Sequence, residues 1–279
     1  MNAGELLKRY AAGERDFRDI SLRGASLIGV DLSQANLRGS DLSESNLTGA
    51  SLQLANLREV NLSKAILRGT DLHATNLISC NLTQANFSEA NLSDASLRAS
   101  DLSGANLSGA NLKEAILSES ILRDANLSRA KLLEASLSRT NLSKAILMGA
   151  ILEEANLTNA TLIQANLKGA NLVKAILNGA NFSGANLTQV DLSRAKISGT
   201  NMTNTILMGA KLRGASVSWT TLRGANLTKA NLYRAKLCWS NLTEAILVEA
   251  VLIDANLDQA NLRGAKLTGA IMPDGASHD

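Results

Sequence analysis

Aromatic residues are scarce in this chain: Phe, Tyr and Trp together make up only 3% of its 279 residues. In ordinary globular domains these side chains supply much of the buried apolar area. Apolar residues of all kinds nevertheless reach 45%, so the composition is not that of a disordered chain. The scarcity of aromatics therefore excludes a conventional globular core and predicts one built from small, uniform aliphatic side chains.

Cysteine is also rare, and neither sign of charge dominates the composition. Cys80 and Cys238 are too few and too far apart for a disulfide framework or a cysteine metal site. The formal net charge is +3, which is neither the basic excess of many nucleic-acid-binding proteins nor the acidic excess of a nucleic-acid mimic. We therefore expect neither a metal cofactor nor nucleic acid as a partner.

Long apolar runs are missing as well. No stretch approaches the roughly 20 apolar residues that a membrane-spanning helix needs. The first residues, MNAGELLKRYAAGERDF, carry charges throughout and lack the apolar segment of a signal peptide. From the sequence alone we expect a cytoplasmic protein that does not associate with membranes.

What the chain does have is a repeat of five residues. Every fifth residue from Phe17 to Met272 is apolar, and all but seven of these positions are Leu. The position two residues earlier is usually Ala, and the position one residue earlier is usually Asn or Asp. Of the 20 glycines, 17 lie two residues after the apolar centre. The motif is therefore small, Asn or Asp, Leu, polar, variable.

A period of five fits neither an α-helix nor a flat strand, because both would rotate the Leu residues around every face. It does fit a short extended piece followed by a turn, in which the centre and the small residue point to the same side. Glycine at the variable position suits a tight turn. Stacking such pieces predicts a solenoid with Leu and Ala ladders inside it.

Motifs such as ANLSGANL (residues 105–112) resemble those of pentapeptide-repeat proteins, and the resemblance extends over residues 15–272. It implies an all-β fold, a right-handed quadrilateral β-helix, whose coils of 20 residues would number about 13 here. The two ends, MNAGELLKRYAAGERDF and GAIMPDGASHD, look like those of cyanobacterial members, one of which regulates heterocyst differentiation. The resemblance implies the fold and leaves the function of this chain open.

The two ends of the chain differ in sequence from the repeat region between them. Asn2 followed by Glu5 is typical of a helix start, and Gly13 of a helix end, so we predict a helix over residues 3–12. The predicted domains are a capping helix (1–14), the repeat region (15–272) and a short tail (273–279). Because Pro273 would stop the ladder, this tail either covers the last coil lightly or makes a contact.

Catalytic residues are not recognisable. His73 and His278 have no Cys or carboxylate at ligand spacing, and the many Ser and Thr residues are repeat positions without a base. Cys80 occupies an inward small position, whereas Cys238 points outward. We predict a protein that is not an enzyme and that has no cofactor, metal site or small-molecule substrate.

Apolar residues at outward positions are the candidate interaction surface. Ile or Val replaces Asn or a polar residue on two neighbouring faces of the C-terminal half, and aromatic residues lie at a corner. The candidates are Ile146, Met148, Ile151, Ile206, Met208, Trp219, Tyr233, Trp239, Ile246 and Val248. Exposed aromatic side chains often anchor interfaces. Alternatively, the two Trp residues stack and hold adjacent coils together, and Ile simply stacks as well as Asn does.

These features favour a rigid scaffold or regulator that binds another protein, acts as a monomer or weak dimer, and could belong to differentiation signalling in cyanobacteria. An alternative within the family is a DNA mimic that binds a topoisomerase. That role requires a strongly negative surface, which the charge of +3 disfavours.

Overall fold

The computed structural model describes residues 1–279, which form two compact units: unit 1, Met1–Asn141, and unit 2, Leu142–Asp279. Unit 1 begins with helix α1 (Ala3–Ala11). The rest of each unit consists of single-residue β-bridges separated by turns, and no strand is longer than one residue. Bridge residues recur at every fifth position, as the period predicts.

Parallel bridges within each unit join residues that are 20 positions apart. In unit 1 Asn36 pairs with Asn56, and in unit 2 Ile206 pairs with Asn226. Backbone hydrogen bonds accompany the bridges: the Leu37 N–H donates to the carbonyl of Asn56 at 2.9 Å. Each unit therefore coils with a period of 20 residues, and every coil adds a rung to parallel ladders, as in a β-helix.

The apolar centres fill the interior. All centres from Phe17 to Leu252 are buried, and most of the Ala residues two positions before them are buried too. This confirms the predicted Leu and Ala ladders for that range. The last four centres are only half-buried because no further coil packs on them: Leu257, Leu262, Leu267 and Met272.

A turn closes each repeat and explains the other positions of the motif. The N–H of Ala50 donates to the carbonyl of Leu47 at 3.0 Å, which closes a four-residue turn. Gly49, the third residue of this turn, has a φ of 64°, a region that favours glycine. The Oδ1 atom of Asn46 accepts the N–H of Thr48 at 3.0 Å, so Asn stabilises the turn from the preceding position.

Helix α1 covers the first coil, close to the predicted span. Asn2 caps it by accepting the N–H of Glu5 at 2.9 Å. Leu6 is fully buried against the coil. The hydroxyl of Tyr10 donates to the carbonyl of Ser33 at 2.8 Å. The helix thus places an apolar and a hydrogen-bonding contact on the otherwise open end of unit 1.

The C-terminal tail, residues 273–279, folds back onto unit 2. Ser277 forms an antiparallel bridge with Ile271, and the N–H of His278 donates to the carbonyl of Ala270 at 2.8 Å. The tail thus forms hydrogen bonds with part of the backbone of the last coil, but the apolar centres of that coil stay half-buried.

Replacement of Gly49 by Ala should lower the free energy of unfolding by about 1 kcal/mol, because a side chain is strained at positive φ. Space is not the cause, since no atom outside the adjoining residues lies within 4 Å of the added methyl group. Urea unfolding measures the change. Gly4→Ala, within α1, is the control and should leave stability equal or slightly higher; equal losses in the two variants would contradict the assigned turn.

Replacement of Leu6 by Ala should destabilise the N-terminal end by about 2–5 kcal/mol, since a fully buried side chain is removed. In a fold held by contacts between neighbouring coils, the effect should be local. Hydrogen exchange should therefore accelerate in residues 17–36 far more than in unit 2. Leu7→Ala, at a half-buried position, should have a smaller effect, and an equal effect would argue against the capping role of Leu6.

Candidate interaction surface

Potential catalytic and metal-binding side chains are dispersed. His73 lies on the wall, where its Nδ1 atom is 3.1 Å from the hydroxyl of Ser93 and 3.5 Å from a carboxylate oxygen of Asp94. His278 lies in the exposed tail. No group of three or more His, Cys, Asp or Glu side chains is arranged to hold a metal ion. The remaining candidate site is the outer surface of the coils, where another molecule could make contact.

The ten candidate residues all lie outside the core, where the repeat register placed them. Seven are exposed: Ile146, Met148, Ile151, Ile206, Met208, Trp219 and Trp239. Three are half-buried: Tyr233, Ile246 and Val248. The exposed fractions of Ile146 and Ile151 are 39% each. About three-fifths of each isoleucine is therefore covered by its neighbours and two-fifths is accessible to a partner, so stacking within the wall and contact with a partner both remain predictions for these residues.

Isoleucine at the Asn position loses a hydrogen bond. In unit 2 the Oδ1 atom of Asn226 accepts the N–H of Thr228 at 3.0 Å. Ile206, one coil earlier in the same ladder, offers no acceptor to the N–H of Met208. Such a hydrogen bond contributes about 0.5–1.5 kcal/mol, which the preference of β-branched residues for extended backbone offsets only in part. Local stability therefore does not explain the replacement.

The same replacement occurs in unit 1. Ile66, Ile116 and Ile121 occupy Asn positions and are each exposed by about two-fifths. Apolar residues on the wall are thus a property of both units, and only their combination with aromatic residues distinguishes unit 2.

The candidates of unit 2 do not form one continuous patch. In the ladder that begins at Ile146, the polar residues Asn166 and Asn186 precede Ile206. The corner at Trp219 lies ten residues after the corner at Gly209, which is half of the 20-residue coil. The structure therefore separates the predicted surface into scattered apolar sites on two faces and an aromatic corner on the other side of the coil.

The aromatic corner consists of Trp219 and Trp239, which stack in parallel. Their ring centroids are 5.2 Å apart and their planes differ by 3°. Even so, the exposed fractions are 65% and 53%. The stack therefore links adjacent coils, as one of the two sequence-based interpretations holds, while the interface role of these exposed rings stays a prediction.

The backbone at this corner follows from the register of the repeat and not from the residue type. Trp219 and Trp239 have φ values of 61° and 60°, where glycine would be unstrained. The preceding coil has Gly199 at the same corner, and a side chain there would meet no atom within 4 Å. One face of the Trp stack is therefore bordered by a corner without a side chain.

Tyr233 is surrounded by cations that the sequence analysis did not connect with it. The guanidinium of Arg213 lies 5.2 Å from the ring centroid, and that of Arg234 lies 4.9 Å away. Such contacts stabilise a cation against an aromatic face. The spacing of 20 residues between Arg213 and Tyr233 would have revealed their proximity.

A family model for pentapeptide repeats matches the chain in overlapping segments that together span residues 16–53, 55–189 and 191–269. The chain therefore belongs to the pentapeptide-repeat family, whose fold is a right-handed β-helix. A search of curated proteins found no match.

Solved structures of similar proteins include HetL, a pentapeptide repeat protein involved in heterocyst differentiation regulation from the cyanobacterium Nostoc sp. strain PCC 7120. HetL is 37% identical over 100% of both chains, with a TM-score of 0.40. The protein alr5209 from Nostoc PCC 7120 is 37% identical over 38% of this chain and 80% of its own, with a TM-score of 0.20. QnrB1, a plasmid-mediated fluoroquinolone resistance protein, is 14% identical over 90% and 92%, with a TM-score of 0.21. The sequence identity to HetL, and not a superposition, relates the chain to a regulator.

The single helix, α1, has nine residues and is too short to span a bilayer.

The two cysteines differ in environment. Cys80 is buried, and its Sγ atom contacts the carbonyl oxygen of Leu57 at 2.9 Å. Burial raises the pKa of the Cys80 thiol to about 12. Since the thiolate is the reactive form, Cys80 should be inert in the folded protein. Cys238 is partly exposed, beside Trp239.

Titration with a thiol-specific reagent at mildly alkaline pH should therefore detect one reactive cysteine in the folded protein and two in denaturant. Cys238→Ser should abolish the reaction of the folded protein, whereas Cys80→Ser should leave it. Rapid modification of the Cys238→Ser variant under native conditions would show that Cys80 is not enclosed.

Proposed function

We propose that the chain is a non-enzymatic scaffold that binds a partner protein through its side walls and regulates that partner. The observation that carries this proposal is the exposed stack of Trp219 and Trp239. Stacking contributes about 0.5–1.5 kcal/mol, but Trp at positive φ costs about 1 kcal/mol relative to glycine. Fold stability therefore gives little reason to place two large apolar side chains at this corner.

Binding gives a better reason. Trp is enriched among the residues that dominate interface energies, because one rigid ring buries a large area with little loss of conformational entropy. The intact coils beneath the stack hold both rings on backbone that is hydrogen-bonded on both sides: the N–H of Trp219 donates to the carbonyl of Cys238 at 3.0 Å. A partner would meet a preorganised apolar surface.

The relationship to HetL directs the proposal toward regulation. HetL is involved in the regulation of heterocyst differentiation. We extend a role of this kind, differentiation signalling in a cyanobacterial cytoplasm, to the present chain, acting as a monomer or weak dimer without a small-molecule substrate. The pairing offset of 20 and the repeat of five support a quadrilateral β-helix of about 13 coils as the scaffold.

A DNA mimic that binds a topoisomerase is less well supported. Such a mimic needs a continuous negative surface. Between residues 155 and 243 the chain contains ten basic residues and one acidic residue, Asp191. This segment of the protein would repel the basic sites that DNA occupies.

The proposal is tested by affinity capture from the native cell, followed by measurement of the dissociation constant for each captured protein after purification. The double variant Trp219→Ala/Trp239→Ala should weaken binding by roughly thirtyfold or more, as expected for interface hot spots. Leu54→Ala is the matched control, because Leu54 is also an exposed apolar corner residue, with a φ of 57°. It should bind as the unmodified protein does.

A second variant locates the contact. Ile206→Asn/Met208→Thr restores the repeat pattern on another face and should leave binding unchanged if the aromatic corner is the site. Loss of binding in this variant alone would move the site to that face. If no captured protein loses affinity in either variant, the proposed scaffold surface is wrong.

A further inference from the structure

Charge is distributed unevenly along the chain although the total is near neutral. Residues 155–243 contain ten basic side chains and only Asp191 as an acidic one, which gives this segment a formal charge of +9. The basic residues are Lys168, Lys174, Arg194, Lys196, Lys211, Arg213, Arg223, Lys229, Arg234 and Lys236. The whole segment lies within unit 2.

Cations of unit 1 are commonly paired with an acid on the next coil. Arg38 lies 3.0 Å from Glu59, and Arg68 lies 3.3 Å from Glu89. These pairs join residues 21 apart and neutralise the wall locally. Ion pairing of this kind shows how the walls of unit 1 accommodate cationic side chains.

Several cations in the basic segment of unit 2 lack such a partner, although Lys211 pairs with Asp191 at 3.5 Å and Lys229 with Glu249 at 3.4 Å. Lys174 pairs with Glu154 at 2.7 Å and Arg234 pairs with Asp254 at 3.1 Å, so acids neutralise the two ends of one corner column. Arg194, between them, has no carboxylate partner. On the following face, neither Lys196 nor Lys236 has one; the two flank Ser216 in a single ladder.

These unpaired cations lie close together. Consecutive coils of such a ladder are separated by about 4.8 Å, so Lys196 and Lys236 lie about 10 Å apart. Gly214 follows Arg194 at the corner, and the side-chain stem of Arg194 approaches it: the Cγ atom is 3.9 Å from the position of a Cβ atom. Across solvent at such a distance the repulsion is weak, so one anionic segment could contact both cations.

A shallow depression of about 340 Å³ is located at this corner. Its walls carry Lys174, Arg194 and Lys196, together with Glu154, which is engaged with Lys174. Ile176, a half-buried residue, adds apolar surface to the lining. The depression thus combines unpaired cations with a patch of aliphatic carbon.

We infer that this depression is a docking site for an acidic segment of a partner protein, in which a glutamate carboxylate binds Arg194 and Lys196. The inference rests on the proposed scaffold function and names the chemistry of a partner. The aliphatic stem of glutamate matches Ile176, while its carboxylate matches a guanidinium. Lys236, two coils from Lys196, would receive a further carboxylate of the same segment.

Single-stranded nucleic acid is the competing anion, and the lining disfavours it. Proteins that bind single strands place aromatic rings along the basic groove so that successive bases can stack. No aromatic residue lines the depression. The Trp rings lie at the next corner and are not part of the lining of the depression.

The test measures the binding of defined probes to the full chain by fluorescence anisotropy at low ionic strength. The probes are a labelled peptide of alternating Glu and Ser, the same peptide with Gln in place of Glu, and an oligothymidylate of similar length. Arg194→Glu/Lys196→Glu is the site variant. Arg223→Glu/Arg263→Glu changes the charge of unit 2 equally at another face and is the matched control.

We expect the Glu peptide to bind saturably, the Gln peptide not to bind, and the site variant to lose about tenfold or more in affinity while the control loses much less. Equal losses of affinity in the two variants would mean that the overall positive charge of unit 2 attracts the peptide, and the proposed site would be wrong. The site is also wrong if the Glu peptide does not bind saturably. If the oligothymidylate binds more tightly than the Glu peptide and the site variant weakens that binding, the corner is a nucleic-acid site. Because the probes are synthetic, these results do not depend on capture of a partner at the Trp corner.

Discussion

Hydrogen bonding between successive coils is the constraint on which the rest of the structure depends. The N–H of a central residue donates to a carbonyl 19 positions further on, as Leu107 does to Asn126 at 2.7 Å. Each bridge comprises a single residue, so no coil can form a sheet by itself. One inserted or deleted residue would turn every later centre out of the core. This explains why the register of five continues without interruption from Phe17 to Met272.

Because of this constraint, some positions of each repeat can change residue type freely and others cannot. The centre and the small residue are enclosed, while Asn is useful to the turn and to its neighbours: the Nδ2 atom of Asn56 donates to the Oδ1 atom of Asn36 at 3.0 Å. The second and third residues of the turn face solvent. Departures from the pattern at solvent-facing positions therefore leave the fold intact, and a stretch such as Ile146 to Ile151 can change the surface without a change in the core.

The core could be predicted because its period is a direct consequence of packing. The sequence of α1 likewise contained its own cap, Asn2. The half-burial of Leu257 could not be predicted, since it depends on what packs beyond the last coil. The candidate surface, on two faces and a corner, was predicted residue by residue; the paired ladders add that polar residues, Asn166 and Asn186, separate Ile146 from Ile206. Similarly, a total charge of +3 concealed the unpaired Arg194, because composition does not record which cations have acids beside them.

The two proposed surfaces border the same face of unit 2. The ladder of Lys196, Ser216 and Lys236 runs between the corner that bears Arg194 and the corner that bears Trp219. Corners of one face are five residues apart along the chain, which is at most about 17 Å for extended backbone. A single peptide segment could therefore contact the cations with carboxylates and the Trp stack with an apolar side chain. In such a complex the charges would govern the association rate and the Trp residues the lifetime, because unpaired surface cations act at long range whereas apolar burial requires contact.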